Sequence, residues 1–368
     1  MNPRTAPTIS PPRLAIMALG GLLWLSGCAT VPRPGIVPEA ATVDAGASSA
    51  TPTESMPSKP RVAPIDPTAE IAEQPPARLT DGGTLFQRMA DGFAPPVCVR
   101  GEHKDYWRQR YASHPRPLEA QLRGAMPLMA WVVEQVETRN LPMEFALIPL
   151  IESGYRPEAR GTGGPIGLWQ MIGSTARHYG VLIGYGYDGR LSPIDSTHAA
   201  LDHLETLHAE FGNWRAAAMA YNAGRGRLHR AFAEAGDRRV SEERRLPPGL
   251  SGITYAYIAK LHALACLITE PGHHGLTLPS EPFVPLEQSI VPAHLHSLDA
   301  VASAWSLDPI TLRALNPSYQ SGLPNKKRAP RALLHPRRES VDTATSSPHS
   351  SVQLARRDTL VTLSPSRH

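Results

Sequence analysis

An apolar stretch over 141–152 ends in a carboxylate, Glu152, which is followed at once by Ser-Gly-Tyr. On a helix, residues four and seven positions apart share a face, so Glu152 aligns with Ile148 and Phe145 on the face that should turn to the core. A carboxylate there is costly unless it is protonated or paired. A helix C-terminus disfavours ionisation further, so the pattern predicts a raised pKa and a candidate acid for glycosidic cleavage. The alternative, a surface glutamate at a frayed helix end, stays open at this point.

Apolar residues at helical spacing predict a mainly α domain around this glutamate. The segment 118–139 has this spacing, and a second helix is predicted to restart at Asn140, with Asn140 as its cap and Pro142 in its first turn. Further helices are predicted over 196–211, 214–222 and 254–267. Alanine-rich sequence in 214–222 lets another backbone approach closely.

Short motifs surround and follow Glu152 in a fixed order. They are Glu152-Ser153-Gly154-Tyr155, the glycine-rich stretch 163–172, Ser174-Thr175-Ala176, Tyr187-Asp188-Gly189-Arg190, Ala220-Tyr221-Asn222-Ala223-Gly224, and Thr254 with Tyr257-Ile258. Each motif is weak alone, but the ordered set resembles the catalytic domain of the soluble lytic transglycosylases, glycoside hydrolase family 23. The resemblance covers about 115–268, under half of the chain. It implies a helical catalytic domain with a lysozyme-like, goose-type fold.

The resemblance also implies roles for individual residues. Glu152 would be the catalytic acid, and the substrate-binding set would be Ser153, Gln170, Met171, Tyr221, Asn222 and Tyr257. For Gln170, a satisfied amide in a turn stays open as the alternative. The family commonly has an acidic residue four positions before the tyrosine that matches Tyr257, and this chain has Ile253 there. The role of Tyr257 is therefore open.

The chemistry follows from one acid without an evident partner. Most glycosidases flank the scissile bond with two carboxylates, whereas Asp188 reads better as part of a structural turn with Arg190. The resemblance implies non-hydrolytic cleavage of the MurNAc–GlcNAc β-1,4 bond of peptidoglycan, with the substrate's N-acetyl and 6-hydroxyl groups replacing a nucleophile and water. The products would carry 1,6-anhydro-N-acetylmuramic acid ends. The alternatives are a hydrolytic lysozyme-type muramidase and a non-catalytic wall-binding lipoprotein.

No cofactor, metal or nucleic-acid partner is predicted. The chain has no Gly-x-x-x-x-Gly-Lys loop and no cofactor fingerprint. His198, His203 and His208 recur every five residues, a step of about 500° on a helix, so they splay around it rather than converge on an ion. A net charge of +4 suits an anionic polymer but also many other surfaces. The predicted partners are peptidoglycan glycan strands and a membrane, and protein partners are unknown.

The N-terminus predicts a lipid anchor. Arg4 and Arg13 precede a short apolar segment, 14–25, which is too short for the roughly 20 residues of a membrane span. Leu25-Ser26-Gly27-Cys28 then matches a lipobox, so 1–27 is predicted to be a lipoprotein signal peptide and Cys28 the lipidated residue. By resemblance to Gram-negative sorting rules, Ala29 favours the outer membrane, facing the periplasm. An ordinary secretory signal is the alternative.

Composition divides the rest of the chain. The segment 28–80 is rich in Pro, Ala, Ser and Thr and predicts a disordered tether. An N-terminal arm over 81–114, a catalytic domain over 115–275 and a disordered tail over 337–368 complete the prediction. Cys98 and Cys266 flank the catalytic domain, and a disulfide and two unrelated buried thiols are equally open.

The segment 286–336 resembles a degenerate LysM module, a small α+β fold with βααβ order that binds N-acetylglucosamine chains. Its signals are two apolar helical patterns over 298–305 and 307–315, followed by Leu315-Asn316-Pro317. The flanking strand signals are weak, and an unrelated helical hairpin is the alternative.

Replacing Cys28 with alanine tests the predicted anchor. Without the thiol, lipidation cannot occur, so we expect the variant to leave the outer-membrane fraction and accumulate as soluble or unprocessed protein. Membrane fractionation with metabolic lipid labelling measures this. A variant that fractionates like the parent would contradict the lipobox interpretation.

Overall fold

Helices dominate the computed structural model of this chain, which describes residues 77–184, 186–236, 246–319, 322–323 and 331–338. The prediction of a mainly α fold is confirmed. The helices are α1 (Gly82–Gly92), α2 (Glu102–Ala112), α3 (Pro115–Thr138), α4 (Ile148–Glu152), α5 (Gly173–His178), α6 (Pro193–Phe211), α7 (Trp214–Ala223), α8 (Arg225–Ala235), α9 (Gly252–Thr269), α10 (Leu298–Trp305) and α11 (Pro309–Leu315). Antiparallel pairs join β1 (Ile183–Gly184) to β2 (Tyr187–Asp188), and β3 (Leu286–Ile290) to β4 (Ala332–Pro336). The predicted signal peptide, Cys28, residues 28–76 of the tether and residues 339–368 of the tail lie outside the described residues.

The chain reaches Glu152 through a 3-10 helix, so the single helix predicted from Asn140 is wrong. Asn140 has a left-handed φ of 52° and follows the end of α3, so it does not cap a new helix. The 3-10 helix Met143–Leu147 leads directly into α4. Pro149 has no backbone N–H to donate to the carbonyl of Phe145, which interrupts a continuous α-helix. α4 is therefore five residues long, and Glu152 is its last residue.

Helix α9 is the shared packing partner of the helices around the site. It contacts α1, α2, α4 and α7. Its 18 residues have a mean hydropathy of 1.3, which by length and composition would also suit a membrane span, but 67% of the segment is buried inside the fold. That burial is what a core helix requires. α7 packs against it closely because its buried face is largely alanine, at Ala216, Ala217, Ala218 and Ala220.

The predicted arm, 81–114, belongs to the main core rather than to a separate segment. Phe86 and Met89 on α1 are buried within that core. Asp81 forms an isolated antiparallel bridge with Pro282, which ties the start of the arm to the chain beyond α9. The core therefore crosses the predicted boundaries at 114 and 275.

A disulfide joins Cys98 to Cys266, whose Cα atoms lie 4.8 Å apart. Cys98 lies in the segment between α1 and α2, and Cys266 lies on α9. Of the two alternatives left open by the sequence, the structure has the bonded pair. The bond fastens the arm to the helix that the site is built on.

The C-terminal segment has the predicted βααβ order, from β3 through α10 and α11 to β4. The strands pair from Leu286 with Pro336 to Ile290 with Ala332. The Asn316 amide joins the second helix to the sheet, since its nitrogen donates to the carbonyls of Leu312 and Leu334, at 2.8 and 2.7 Å, and its oxygen accepts from the Leu334 N–H at 3.0 Å. This explains the Leu-Asn-Pro ending of the sequence pattern. The resemblance to LysM stays a prediction.

The C-terminal segment shares apolar contacts with the helical domain. Tyr187 of β2 is buried in one cluster with Val301, Leu312 and Tyr319. The Tyr187 and Tyr319 rings lie 5.1 Å apart. The C-terminal segment therefore packs against the turn that contains Tyr187.

Two truncations test how the last segments hold the fold. A chain that ends after Pro271 loses buried Leu276, partly buried Phe283 and the Asp81–Pro282 bridge, whereas a chain that ends after Pro285 keeps them. Burying one leucine stabilises by about 2 kcal/mol. We expect the shorter chain to unfold at a Tm lower by about 4–8 °C. Equal Tm values in thermal unfolding would contradict a structural role for 276–283.

Candidate active site

Glu152 and Tyr257 meet where α4 approaches α9. The Tyr257 hydroxyl donates a hydrogen bond to Oε1 of Glu152 at 3.0 Å, and Tyr257 is 5% exposed. Burial raises the pKa of Glu152 to about 7, against the Tyr257 hydrogen bond and the Lys260 ammonium, which favour the ionised form and lower the pKa. Glu152 therefore exchanges a proton near neutral pH, and its ionised form has a hydrogen-bond donor in place.

The turn after Glu152 fixes the direction of α4. The buried Ser153 hydroxyl donates to the Leu168 carbonyl at 2.7 Å, which ties the acid to the glycine-rich stretch. Gly154 and Tyr155 follow with left-handed φ values of 66° and 61°. Tyr155 tolerates that conformation because its ring is buried and its hydroxyl is hydrogen-bonded at 2.6 Å to a carbonyl of the preceding 3-10 helix. Ser153, predicted to bind substrate, is thus engaged in holding the backbone.

The Tyr-Asp-Gly-Arg motif clamps the glycine-rich loop. Asp188 accepts hydrogen bonds from the Arg190 guanidinium at 3.0 and 2.7 Å, and Nη1 of Arg190 donates to the Gly164 carbonyl at 3.0 Å. Gly167 has a φ of 84°, and a Cβ there would overlap the Arg190 carbonyl oxygen. The loop therefore packs on the motif backbone in a way that only glycine permits.

Gln170 is half-buried in the glycine-rich stretch, and Met171 is buried. The Gln170 side-chain nitrogen donates to the carbonyls of Gly167 and Ala159, at 2.8 and 3.3 Å, so the alternative of a satisfied amide describes this nitrogen. Its Oε1 faces Gly161 of the loop. Met171 is 3% exposed and belongs to the main core. Both residues hold the loop, and a direct sugar contact by the Met171 side chain does not fit its burial.

Tyr221 and Asn222 are joined to the same parts from α7. The Tyr221 hydroxyl donates to the Trp169 carbonyl at 2.8 Å. Oδ1 of Asn222 accepts from the Thr254 hydroxyl at 2.9 Å, which fixes the orientation of its amide. The amide nitrogen of Asn222 has no hydrogen-bond partner among the described residues, and the residue is half-buried. It is oriented to donate to a ligand.

Sequence reasoning missed Lys260, the charged neighbour of Glu152. Thr254, Tyr257 and Lys260 are spaced by three, so they share one face of α9. The Lys260 ammonium lowers the pKa of Glu152. The three-residue spacing from Tyr257 was the available signal, but it is informative only once Tyr257 is known to meet Glu152.

Parts of this chain are similar in sequence to known proteins. Residues 129–243 match the family described as Transglycosylase SLT domain. This part of the chain is therefore similar to transglycosylase SLT domains. The match includes Glu152, Gln170, Tyr221 and Asn222, whereas Tyr257 lies beyond it on α9.

Individual relatives cover parts of the chain. It is 34% identical over 183 residues to membrane-bound lytic murein transglycosylase D of Escherichia coli K12, across 50% of this chain and 39% of that protein. A protein of Alteromonas sp. strain M-1 named for tributyltin chloride resistance is 46% identical over 110 residues, across 30% and 53%. Peptidoglycan transglycosylase gp16 of Escherichia phage T7 is 39% identical over 86 residues, across 23% and 6%. The chain thus spans about two fifths to half of the length of the first two relatives.

No carboxylate partner of Glu152 is found among the described residues. Asp188 is engaged with Arg190. Asp195 accepts from the Tyr187 hydroxyl at 2.7 Å. Lys260 is the charge that acts on Glu152, and no second acid contributes to its raised pKa. The two-carboxylate arrangement of ordinary glycosidases is therefore not what the described residues provide.

Metal ligands do not gather around Glu152 in the described residues. Cys98, Cys266 and Glu270 lie close enough together to ligate an ion, but the two sulfur atoms form the disulfide and cannot act as thiolates. His198 lies against Trp131 and His203 against Tyr179.

Replacing Glu152 with glutamine should stabilise the fold more as the pH rises. The folded pKa of about 7 lies above the ordinary 4.5, so the ionised carboxylate costs stability. That cost is absent below about pH 4.5 and is complete above about pH 7, where it amounts to about 3 kcal/mol. We expect the gap in unfolding free energy between variant and parent to widen by that amount over this interval, measured by denaturant unfolding.

The matched control is Glu158→Gln, at an exposed glutamate close in sequence. Its effect on unfolding free energy should vary little with pH. A difference in unfolding free energy between Glu152→Gln and the parent that stays constant with pH would contradict a raised pKa for Glu152.

Proposed function

We infer that this chain is a peptidoglycan lytic transglycosylase that cleaves the MurNAc–GlcNAc β-1,4 bond without water. The observation that carries the proposal is Glu152 itself, a half-buried acid with a pKa of about 7 that is hydrogen-bonded to Tyr257 and has no carboxylate partner among the described residues. The SLT match and the printed names of two relatives, lytic murein transglycosylase and peptidoglycan transglycosylase, support it.

The proposed reaction uses one carboxyl twice. Protonated Glu152 donates its proton to the glycosidic oxygen, while the muramoyl N-acetyl group stabilises the cationic C1. The resulting carboxylate, stabilised by Tyr257 and Lys260, then accepts the proton of the muramoyl 6-hydroxyl. That oxygen attacks C1 and closes the 1,6-anhydro ring, so the proton count balances and no water is consumed. A pKa near 7 suits both halves, because neither protonation state is costly to reach.

Substrate contacts are proposed for the polar groups of the site that are not engaged in hydrogen bonds within the protein. The free amide donors of Asn222 suit an N-acetyl carbonyl. Gln170 would contribute Oε1 alone, because its nitrogen is engaged in the loop. Ser153, Met171 and Tyr221 would act by holding the loop and the acid in place. Their substitution should therefore affect turnover through geometry rather than through a lost sugar contact.

The rival functions predict different products. A hydrolytic muramidase on the same fold would give reducing ends, and a non-catalytic wall-binding lipoprotein would give no cleavage. The close contact of Glu152 with Tyr257, together with the raised pKa, is more than a binding protein needs. The relatives named as transglycosylases favour the anhydro product.

The proposed location is the Gram-negative envelope, with lipid anchoring at Cys28 in the outer membrane, facing the periplasm. The support is the lipobox in the sequence and the name of a relative that is membrane-bound. The Cys98–Cys266 disulfide suits the same oxidising compartment. The C-terminal βααβ segment is proposed as a second, weaker glycan contact, in line with its resemblance to LysM.

Glu152→Gln is the decisive variant for the reaction. It keeps the shape of the side chain and removes the transferable proton, so the cleavage rate on purified sacculi should fall by about a thousandfold while glycan binding remains. Mass spectrometry of the parent's products should give 1,6-anhydromuropeptides, with kcat/KM falling as the pH rises through about 7. Glu158→Gln serves as the control that keeps activity. Reducing-end products from the parent would replace this proposal with hydrolysis.

A further inference from the structure

Beyond the acid, the same face of α9 leads to an aromatic ring that holds two cations. The Lys260 ammonium lies 4.5 Å from the centre of the Trp107 ring on α2, and the Arg110 guanidinium lies 5.8 Å from it. Along this face Thr254 orients Asn222, Tyr257 meets Glu152, and Lys260 meets Trp107. The cluster of Trp107, Arg110 and Lys260 therefore continues the line of the site away from Asn222.

These cations form no close ion pair among the described residues, although the Lys260 charge acts on Glu152. Neither Arg110 nor Lys260 forms an ion pair with a carboxylate in the described part of the chain, whereas Arg108 on the same helix pairs with Asp105. Arg110 is exposed, and Lys260 is half-buried. Arg110 is therefore an exposed cation without a paired carboxylate in the described residues, and it favours an anion beside it.

A cavity of about 710 Å³ opens beside this cluster. Its lining includes Tyr106, Arg110, Tyr111, His114 and Gln121, and it contains no aspartate or glutamate. The Gln121 side-chain nitrogen lies 2.7 Å from where a Gly154 Cβ would be, so Gln121 connects the cavity to the turn that follows Glu152. The cavity thus contains the Arg110 cation and several hydrogen-bond donors, and one of its lining residues contacts the turn after the acid.

The arrangement suits a charged ligand better than a stacked sugar. A sugar ring stacks on an open aromatic face, but the face of Trp107 has cations near it, and its ring also contacts Tyr106 edge-on at 5.3 Å between centres. The ring therefore holds the cations in position. The polar cavity walls then provide neutral hydrogen-bond partners around the charge.

We propose that the cavity lined by Arg110 and Gln121, beside the Trp107–Lys260 pair, binds carboxylates of the peptide attached to the muramoyl residue. This inference rests on the proposed function, since the substrate supplies the anion. The peptide leaves the same sugar ring whose C1–O bond Glu152 acts on, so it emerges beside the acid. An extended peptide spans about 3.3–3.6 Å per residue, and its first residues therefore reach across the cavity. The pocket makes the enzyme selective for peptide-bearing strands.

The test compares one substrate with and without its charge. Soluble peptide-bearing glycan chains are used as prepared, and the same chains are used after carbodiimide amidation of their carboxylates. The parent should have a kcat/KM roughly tenfold higher on the native chains, the scale of a hydrogen bond to a charged group. Arg110→Gln should bring the ratio of the two values toward one. Arg230→Gln, at an exposed arginine on α8 outside the cavity lining, should leave the ratio as in the parent.

Other outcomes overturn the inference. An equal loss on both substrates in Arg110→Gln would assign the cavity to neutral sugar or peptide contacts. An unchanged Arg110→Gln ratio, or a parent that does not distinguish the two substrates, would remove the cavity from substrate recognition. Thermal unfolding of Arg110→Gln should match the parent, because the residue is exposed.

Binding to a cleavage-deficient chain separates this inference from the proposed reaction. Calorimetry of Glu152→Gln, with and without Arg110→Gln, gives the Kd for native and amidated chains without turnover. A charge preference that Arg110→Gln abolishes would support the pocket even if the parent released no anhydro products, an outcome that would refute only the proposed reaction. Equal Kd values for the two chains in Glu152→Gln would overturn the pocket itself.

Discussion

A carboxyl group kept at the edge of the core is the constraint on which the rest of the structure depends. Glu152 is held there by the short helix α4, and the Tyr257 hydroxyl and Lys260 ammonium offset part of the cost of its ionisation. That balance requires α4 to meet α9 at a fixed position. Pro149 shortens the helix, and left-handed Gly154 turns the chain away directly after it. The backbone around α4 thus fixes the position of the Glu152 carboxyl, and its pKa depends on that position.

Helix α9 collects partners that are distant in sequence. At three-residue intervals it meets Asn222 of α7, Glu152 of α4 and Trp107 of α2. The glycine-rich loop is attached to the same assembly from the other side, through the Ser153 hydroxyl and the Arg190 guanidinium. The residues proposed for recognition and proton transfer therefore lie along, or contact, one buried helix.

The helical fold was predicted from the periodic spacing of apolar residues. Glu152 was singled out by the same spacing and by the motifs that follow it in a fixed order. The helix prediction was wrong at Asn140, which has a left-handed φ of 52° after the end of α3 and is followed by a 3-10 helix. The sugar contact of Met171 stays a prediction, and its side chain is 3% exposed. The contact between Lys260 and Trp107 was missed because the two residues lie about 150 positions apart in the sequence, and no local spacing encodes such a contact. The disulfide stayed undecided for the same reason.

The Cys98–Cys266 bond also makes the stability of this fold depend on redox conditions. It closes a loop with a sequence separation of 168, for which chain-entropy arguments give a stabilisation of about 5 kcal/mol. In a reducing cytosol this bond does not persist, and the α2 wall is then held against α9 by packing alone. Oxidation adds a covalent link between α9 and the segment that precedes α2. The position of the α2 wall thus depends on the redox state of the surroundings, which packing alone would not make it do.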